Sequence, residues 1–126
     1  MTDPAGKRIF IVEDEYLLAR QISRALSREG AELVSCVGTV EAALNELSRI
    51  DRVDLAILDI NLAGEKVYPV AFELERRGVA FLFLSGYDLD DRDPRFASAP
   101  QLSKPVTMPA LKRVIQAAMF DVASRG

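Results

Sequence analysis

The sequence contains no histidine and only one cysteine, Cys36. Without histidine, the chain cannot form a Ser-His-Asp triad, a Cys-His dyad or a histidine-ligated zinc site. A single cysteine cannot form an internal disulfide, and we expect Cys36 to act as a small hydrophobic residue buried in a strand. Any bound metal ion would have to be held by oxygen atoms, which favours magnesium, manganese or calcium.

The chain also lacks long apolar runs and an excess of basic residues. No apolar run reaches the roughly 18 residues that span a bilayer, and residues 1–8 lack the apolar core of a signal peptide. We therefore expect a cytoplasmic protein that does not act at a membrane. The formal net charge of −3 argues against a nucleic-acid partner. The 126 residues, 49% of them hydrophobic and 28% charged, suit one globular domain with one core.

Apolar segments with the character of strands alternate with amphipathic segments along the chain. Strands are predicted at 8–12, 31–37, 55–59, 79–84 and 101–103, and helices at about 16–29, 40–50, 67–77 and 109–123. At best one short helix fits between the last two strands, at 95–99. This alternation predicts an α/β fold, a doubly wound, flavodoxin-like, five-stranded parallel sheet with a shortened or frayed fourth helix. Right-handed crossovers favour the strand order 2-1-3-4-5.

Polar residues follow the ends of four of these strands. Glu13 and Asp14 follow the first strand, Asp59 ends the third, and Ser85 and Lys104 follow the fourth and fifth. Because the carboxyl ends of parallel strands meet at one edge of the sheet, we expect these side chains to share a pocket. Three carboxylates in one pocket either raise a pKa or bind a cation.

The chemistry of this pocket suits phosphoryl transfer. A metal ion, a lysine, a hydroxyl and a carboxylate are the parts that hold a phosphoryl group in line for transfer. Magnesium is the predicted ion, with manganese as the alternative, and the backbone carbonyl of Asn61 is a further predicted ligand. Asp59 would be the nucleophile that becomes an acyl phosphate.

Each of these residues also has a purely structural interpretation. Asp59 could be a turn or cap residue, Ser85 a turn residue, and Lys104 a solvated surface lysine. The acidic run 13–15 could simply place negative charge at a helix N-terminus. These interpretations are weak together, because they do not predict a residue of suitable type at each of four strand ends.

On these residues the chain resembles a receiver domain of two-component response regulators, over nearly its whole length. The matching residues are Glu13, Asp14, Asp59, Ser85 and Lys104-Pro105. The resemblance implies that Asp59 accepts a phosphoryl group from a histidine kinase or a histidine phosphotransfer protein. It implies that Asp14 and Asp59 bind magnesium directly, together with the Asn61 carbonyl, and that Glu13 acts through water. The serine and the lysine would bind the phosphoryl oxygens.

The chain departs from the usual receiver pattern in three places. The usual proline four residues after the phosphoacceptor is Ala63, the usual switch aromatic three residues before the lysine is Gln101, and the fourth helix is short. These departures occur together in a subgroup of single-domain receivers with a Phe-Ala-Thr-Gly-Tyr-like motif on strand four. Residues 83–87, Phe-Leu-Ser-Gly-Tyr, are similar to that motif.

The departures suggest a different route for the signal. We predict that Ser85, Tyr87 and Gln101 form the conformational switch, with Tyr87 as the reporter in place of an aromatic residue at 101. Gly86 is predicted to leave the pocket open to a phosphodonor. Asn61, Gly86 and Tyr87 are predicted to set the lifetime of the acyl phosphate, since they lie near the expected path of hydrolytic water.

We expect a single receiver domain over residues 1–126, with its core at about 7–123 and no output domain. Output would pass through an unknown downstream protein, or the chain would act as a phosphate sink or relay. Met119 and Phe120, with the segment 88–100, are the predicted contact face, unless both side chains belong to the core.

Two other functions stay open. One is a receiver-like module that binds proteins without being phosphorylated. The other is a small phosphatase that uses an aspartyl phosphate, although Asn61 stands where such enzymes carry a second acid. We favour a signalling domain that is not an enzyme, because its chemistry would be limited to self-catalysed phosphotransfer and autodephosphorylation.

Overall fold

A computed structural model of the chain describes residues 4–86 and 93–125, with side chains as far as residue 123. The elements in chain order are β1 (Arg8–Val12), α1 (Tyr16–Arg28), β2 (Glu32–Val37), α2 (Val40–Leu47), β3 (Leu55–Asp59), β4 (Asn61–Leu62), β5 (Glu65–Lys66), α3 (Tyr68–Arg76), β6 (Ala80–Ser85), a 3-10 helix (Pro94–Phe96), β7 (Gln101–Ser103) and α4 (Met108–Arg125). These bounds agree with the predicted ones to within about three residues.

Five of the strands form one parallel sheet in the order β2-β1-β3-β6-β7. Because β4 and β5 form a separate antiparallel hairpin, β6 and β7 are the fourth and fifth strands of this sheet. The predicted order 2-1-3-4-5 and the flavodoxin-like fold class are therefore confirmed. The order reverses between β1 and β3, so a crevice lies beyond the carboxyl ends of these two strands.

The sheet separates two hydrophobic layers. Successive strand side chains point to opposite faces, so Phe10 and Phe83 pack on the side of α2 and α3, while Ile57 and Leu82 pack on the side of α1 and α4. The three central strands are buried on both faces, which explains their nearly continuous apolar sequences. The rigid central strands fix the positions of the polar residues at their ends.

The position of β2 overturns the prediction that Cys36 is buried. The thiol is exposed. The physical reason is that β2 is an edge strand, paired only with β1, and its side chains are only partly covered by the neighbouring helices.

The segment after β3, predicted to be a loop, contains the β4–β5 hairpin. Its two-residue turn consists of Ala63 and Gly64, and both residues have positive φ, 51° and 93°. This is the pattern of a type I′ turn, whose twist matches that of the two strands. Proline has φ fixed near −65°, so this turn excludes the proline that the usual receiver pattern carries at position 63.

Ala63→Asn is expected to raise the free energy of unfolding by roughly 0.5–1 kcal/mol, because asparagine tolerates positive φ better than alanine and Asn-Gly favours type I′ turns. Ala63→Val is expected to lower it by about 1 kcal/mol, because a β-branched residue is strained at positive φ. Urea unfolding of the two variants and the parent chain measures both effects. Stabilisation by valine would contradict the turn assignment.

The segment before β7 confirms the prediction of a shortened fourth helix. Its described part contains only the 3-10 helix, which Asp93 caps by accepting a hydrogen bond from the backbone N–H of Arg95 at 2.9 Å. Phe96 from this turn is buried. It packs in an aromatic cluster that consists of Tyr68, Phe72, Phe81, Phe83 and Phe96.

The two α4 residues of the predicted contact face differ in burial. Met119 is partly buried and packs against the layer formed by Leu111, Ile115 and Ala118, whereas Phe120 is 72% exposed. Met119 therefore belongs with the core, and Phe120 does not. Neither α4 nor any other helix in the described ranges is long and apolar enough to cross a membrane.

Candidate functional site

The buried polar side chains lie together at the carboxyl edge of the sheet. Asp59 is the last residue of β3, Ser85 the last of β6, and Glu13 follows β1 directly. They are only 4%, 3% and 3% exposed, and they are the buried polar residues in the part of the chain that the structure describes. Burying such groups costs free energy unless they are paired, so their collection at one edge indicates a site.

Three carboxylates form the acidic side of this site. One oxygen each from Glu13, Asp14 and Asp59 lies within 4.8 Å of the other two. Asp14 is exposed, so the cluster opens to solvent on its side. Gly38 packs closely against this loop, since a Cβ atom there would lie 3.3 Å from the Cα of Asp14. Oxygen donors at this spacing fit a hard divalent cation such as Mg²⁺ or Mn²⁺.

Asp59 is held from two sides. The backbone N–H of Asn61 donates a hydrogen bond to Asp59 Oδ1 at 3.3 Å, and Lys104 Nζ donates to Oδ2 at 3.3 Å. The backbone N–H of Lys104 donates to the carbonyl of Ser85 at 2.9 Å, which ties the loop after β7 to the end of β6. The carboxylate therefore faces a lysine that is fixed at both its backbone and its ammonium group.

Lys104 contacts three acidic side chains. Its Nζ lies 3.3 Å from Asp59, 3.3 Å from Glu13 and 3.7 Å from Glu15. Burial of the ammonium lowers the pKa of Lys104, but the charges of Asp59 and Glu13 raise it by more, so the net pKa is raised. Lys104 therefore remains charged and offsets part of the acidic cluster.

The carboxyl group of Glu13 has an unusual environment. Burial raises its pKa, and so does its hydrogen bond with Asp59, to about 8. The backbone N–H of Glu15 opposes this shift, because it donates to Glu13 Oε2 at 3.0 Å. A cation among the carboxylates would favour the ionised form of this group.

Ser85 supplies a hydroxyl that has no hydrogen-bond partner among residues 4–86 and 93–125. Its Oγ atom is buried, which is a costly arrangement unless a ligand uses the group. At the next residue, Gly86, a Cβ atom would meet no atom of the described residues within 4 Å. With respect to the described residues, the edge of the site beside Ser85 therefore has room for an incoming group.

The structure describes two of the three predicted switch residues. Ser85 ends β6, and Gln101 lies on the neighbouring strand β7, where it pairs with Phe83. The Oε1 atom of Gln101 is also buried, and no described residue forms a hydrogen bond with it. Tyr87 lies outside the described residues.

Glu15 is a member of the site that could not be recognised separately from the sequence. It was grouped with the acidic run at the start of α1, whereas the structure places its carboxylate beside Lys104. One signal was available. Glu15 is the N-cap residue of α1, a position where serine, threonine, aspartate and asparagine are preferred.

Receiver domains as a class are defined by a doubly wound sheet with acidic residues after β1 and at the end of β3, a hydroxyl at the end of β6 and a lysine after β7. The chain is 39% identical to SdrG from Sphingomonas melonis Fr1, with a TM-score of 0.81, over 90% of this chain and 96% of SdrG. A structure of SdrG in a BeF3-activated conformation, from Pseudomonas melonis Fr1, is 37% identical with a TM-score of 0.77, over 91% of this chain and 98% of that one. The chain belongs to the receiver domain family of two-component response regulators.

Two curated proteins are similar to the chain over part of their length. The uncharacterized transcriptional regulatory protein YbdJ of Bacillus subtilis is 32% identical over 90 residues, which are 69% of this chain and 39% of YbdJ. The transcriptional regulatory protein PdtaR of Mycobacterium tuberculosis is 27% identical over 117 residues, which are 90% of this chain and 57% of PdtaR. The chain thus spans about two-fifths to just over half of these relatives. No protein-family model matches it.

Proposed function

We propose that this receiver accepts a phosphoryl group on Asp59 from a histidine kinase or a histidine phosphotransfer protein. The observation that carries the proposal is the buried Asp59 carboxylate, which lies 3.3 Å from Lys104 Nζ at the same sheet edge as the unpartnered hydroxyl of Ser85. A carboxylate nucleophile with an adjacent ammonium and a free hydroxyl donor is suited to receive an anionic phosphoryl group.

In the transfer step, a carboxylate oxygen of Asp59 forms a bond to phosphorus while the P–N bond of the phosphohistidine breaks. The electron pair of that bond leaves with the imidazole, and an acyl phosphate remains on the receiver. Lys104 would neutralise the phosphoryl oxygens, and Ser85 would donate a hydrogen bond to one of them. Both groups would therefore stabilise the phosphorylated form of the site.

Magnesium is the proposed cofactor, with manganese as the alternative. Glu13, Asp14 and Asp59 would hold it through carboxylate oxygens, with Glu13 acting through water, and the backbone carbonyl of Asn61 would complete the protein ligands. When bound, the ion would neutralise charge on the transferring phosphoryl group. The acid cluster fits such an ion because it consists only of hard oxygen donors.

The proposed role of the whole chain is that of a cytoplasmic, single-domain signalling protein rather than an enzyme with an external substrate. SdrG in a BeF3-activated conformation supports activation by a phosphoryl-like group. We propose that Ser85, Tyr87 and Gln101 transmit the change to an unknown downstream protein, or that the chain relays phosphate. Asn61, Gly86 and Tyr87 would set the acyl phosphate lifetime.

Incubation with acetyl phosphate and Mg²⁺ tests the phosphoacceptor. We expect intact mass spectrometry to show one acid-labile phosphoryl adduct on the parent chain, which chelation of the metal prevents. Asp59→Asn should form no adduct, because an amide is not a nucleophile of this kind. Asp51→Asn is the matched control, since Asp51 is exposed and precedes β3, whereas Asp59 ends this strand, and it should be modified like the parent.

The same assay separates the alternatives. Continuous turnover of phosphate esters would support a phosphatase, and the absence of any adduct on the parent chain would support a module that binds proteins without phosphorylation. An adduct on Asp59→Asn equal to that on the parent would overturn the assignment of the phosphoacceptor.

A further inference from the structure

Among the residues that the structure describes, Lys104 has one carboxylate partner that lies outside the acid cluster. Its Nζ contacts Glu13 and Asp59, which belong to that cluster, and also Glu15 Oε1 at 3.7 Å. The side chain of Glu15 is 61% exposed, whereas that of Glu13 is fully buried. Glu15 therefore holds the ammonium from the solvent side, at the mouth of the site.

The side chain of Glu15 has no evident structural task. Glu15 is the N-cap of α1, with extended backbone angles, yet its side chain makes no capping hydrogen bond. Its backbone N–H is engaged instead with Glu13 Oε2 at 3.0 Å. A residue that breaks a local preference without a compensating contact in its own helix is often explained by a functional site. Here the contact that it does make is with Lys104.

We infer that Glu15 is a positioning residue that holds Lys104 in the unphosphorylated site and competes with the phosphoryl group for its ammonium. The inference rests on the proposed phosphorylation of Asp59. A cation among Glu13, Asp14 and Asp59 would offset the charge of those carboxylates, but Glu15 is not part of that set. Its negative charge would therefore persist at the mouth when a phosphodonor approaches.

Two consequences of this charge act in the same direction. A phosphoryl group adds roughly −1.5 to −2 charges, so Glu15 repels an anionic donor before transfer. After transfer, Glu15 and the phosphoryl oxygens compete for the same ammonium group. Removing the charge while keeping the side-chain shape should therefore increase both the rate and the extent of phosphorylation.

We expect Glu15→Gln to form the acetyl phosphate adduct about two- to fivefold faster than the parent at low ionic strength, the range for one partly solvated charge at this distance. The difference should shrink at high salt, because exposed charges are screened. Glu15→Asp keeps the charge and should restore the parent's rate and salt dependence. Glu75→Gln is the matched control, since it makes the same charge change on the exposed face of α3.

Magnesium affinity distinguishes a positioning residue from a metal ligand. The rise in the melting temperature with increasing MgCl2 measures the affinity for Mg²⁺. For Glu15→Gln this affinity should lie within about twofold of that of the parent. Asp14→Asn should lose most of the rise. A loss of Mg²⁺ affinity in Glu15→Gln would overturn the inference. So would equal adduct rates for Glu15→Gln and the parent at both ionic strengths.

Adduct formation on the parent chain shows which of the two proposals has failed. If the parent forms no adduct with acetyl phosphate and Mg²⁺, the proposed phosphorylation fails, and the inference about Glu15 fails with it. If the parent forms the adduct and Glu15→Gln forms it no faster, only the inference fails.

Discussion

Phe96→Ala is expected to lower the free energy of unfolding by about 3–5 kcal/mol, the usual cost of truncating a buried phenylalanine. Phe96 is 3% exposed, although the described part of its segment, residues 93–100, contains only a 3-10 helix. The loss should be at the upper end of this range because the neighbours of Phe96 are rings anchored on β6 and α3, which have little freedom to close a cavity.

The large expected loss of stability follows from the geometry of the aromatic cluster around Phe96. Its ring stacks on Tyr68 at a centroid distance of 5.7 Å and lies 5.0 Å from Phe72. It also makes edge contacts with Phe81 at 5.9 Å and Phe83 at 5.7 Å. Each aromatic pair adds about 0.5–1.5 kcal/mol beyond the burial of its area. Phe96 thus packs against rings from both β6 and α3.

Urea unfolding of Phe96→Ala and Phe120→Ala measures the effect. Phe120 is the matched control because it is the same residue type at 72% exposure on α4, and its truncation should cost under about 1 kcal/mol. Phe96→Leu should fall between the two, since leucine fills part of the space. A Phe96→Ala variant as stable as Phe120→Ala would show that the 3-10 helix does not anchor the segment before β7.

The sheet could be predicted from sequence because its signals are local. Buried central strands such as β3 and β6 read as continuous apolar runs bounded by turn residues. The strand order followed from the handedness of crossovers. The positions of Asp59, Ser85 and Lys104 at one edge followed from that order, because residues at the carboxyl ends of parallel strands share an edge whatever their separation along the chain.

The details that escaped prediction depend on contacts between distant residues or on unusual backbone angles. Alanine rarely adopts positive φ, so Ala63 gave no sign of the type I′ turn. The exposure of Cys36 depends on how far the helices cover an edge strand. The role of Phe96 depends on rings from β6 and α3, and the contact of Glu15 with Lys104 joins residues that are distant along the chain.

Glu13→Gln is expected to stabilise the metal-free protein at pH 7 by on the order of 2 kcal/mol, an estimate from the raised pKa of its carboxyl group. Burial and the hydrogen bond with Asp59 raise that pKa from 4.5 to about 8. The unfolded chain releases this proton at lower pH than the folded chain does. The free-energy cost of Glu13 is therefore absent below about pH 4.5 and grows as the pH rises toward 8.

Loss of the ion pair with Lys104 opposes this gain. Breaking a buried pair usually costs several kcal/mol because it leaves one charge without a partner. Here the ammonium keeps Asp59 at 3.3 Å and Glu15 at 3.7 Å, so it is not left unpaired. Glutamine also retains an oxygen that can accept the hydrogen bond from the Glu15 backbone N–H. The pKa of about 8 already includes the lowering effect of the Lys104 charge, so the gain from removing the Glu13 carboxyl group should exceed the loss of this ion pair.

Chemical unfolding in EDTA at pH 5 and pH 8 tests the sign of this balance, with Glu75→Gln as the exposed control. We expect the advantage of Glu13→Gln over the parent to be larger at pH 8 than at pH 5. Saturating Mg²⁺ should reduce or reverse that advantage, because the ion stabilises the parent by binding its folded state and Glu13→Gln has lost one carboxylate of the site. A Glu13→Gln variant that is less stable than the parent in EDTA at pH 8 would show that the ion pair with Lys104 outweighs the buried charge.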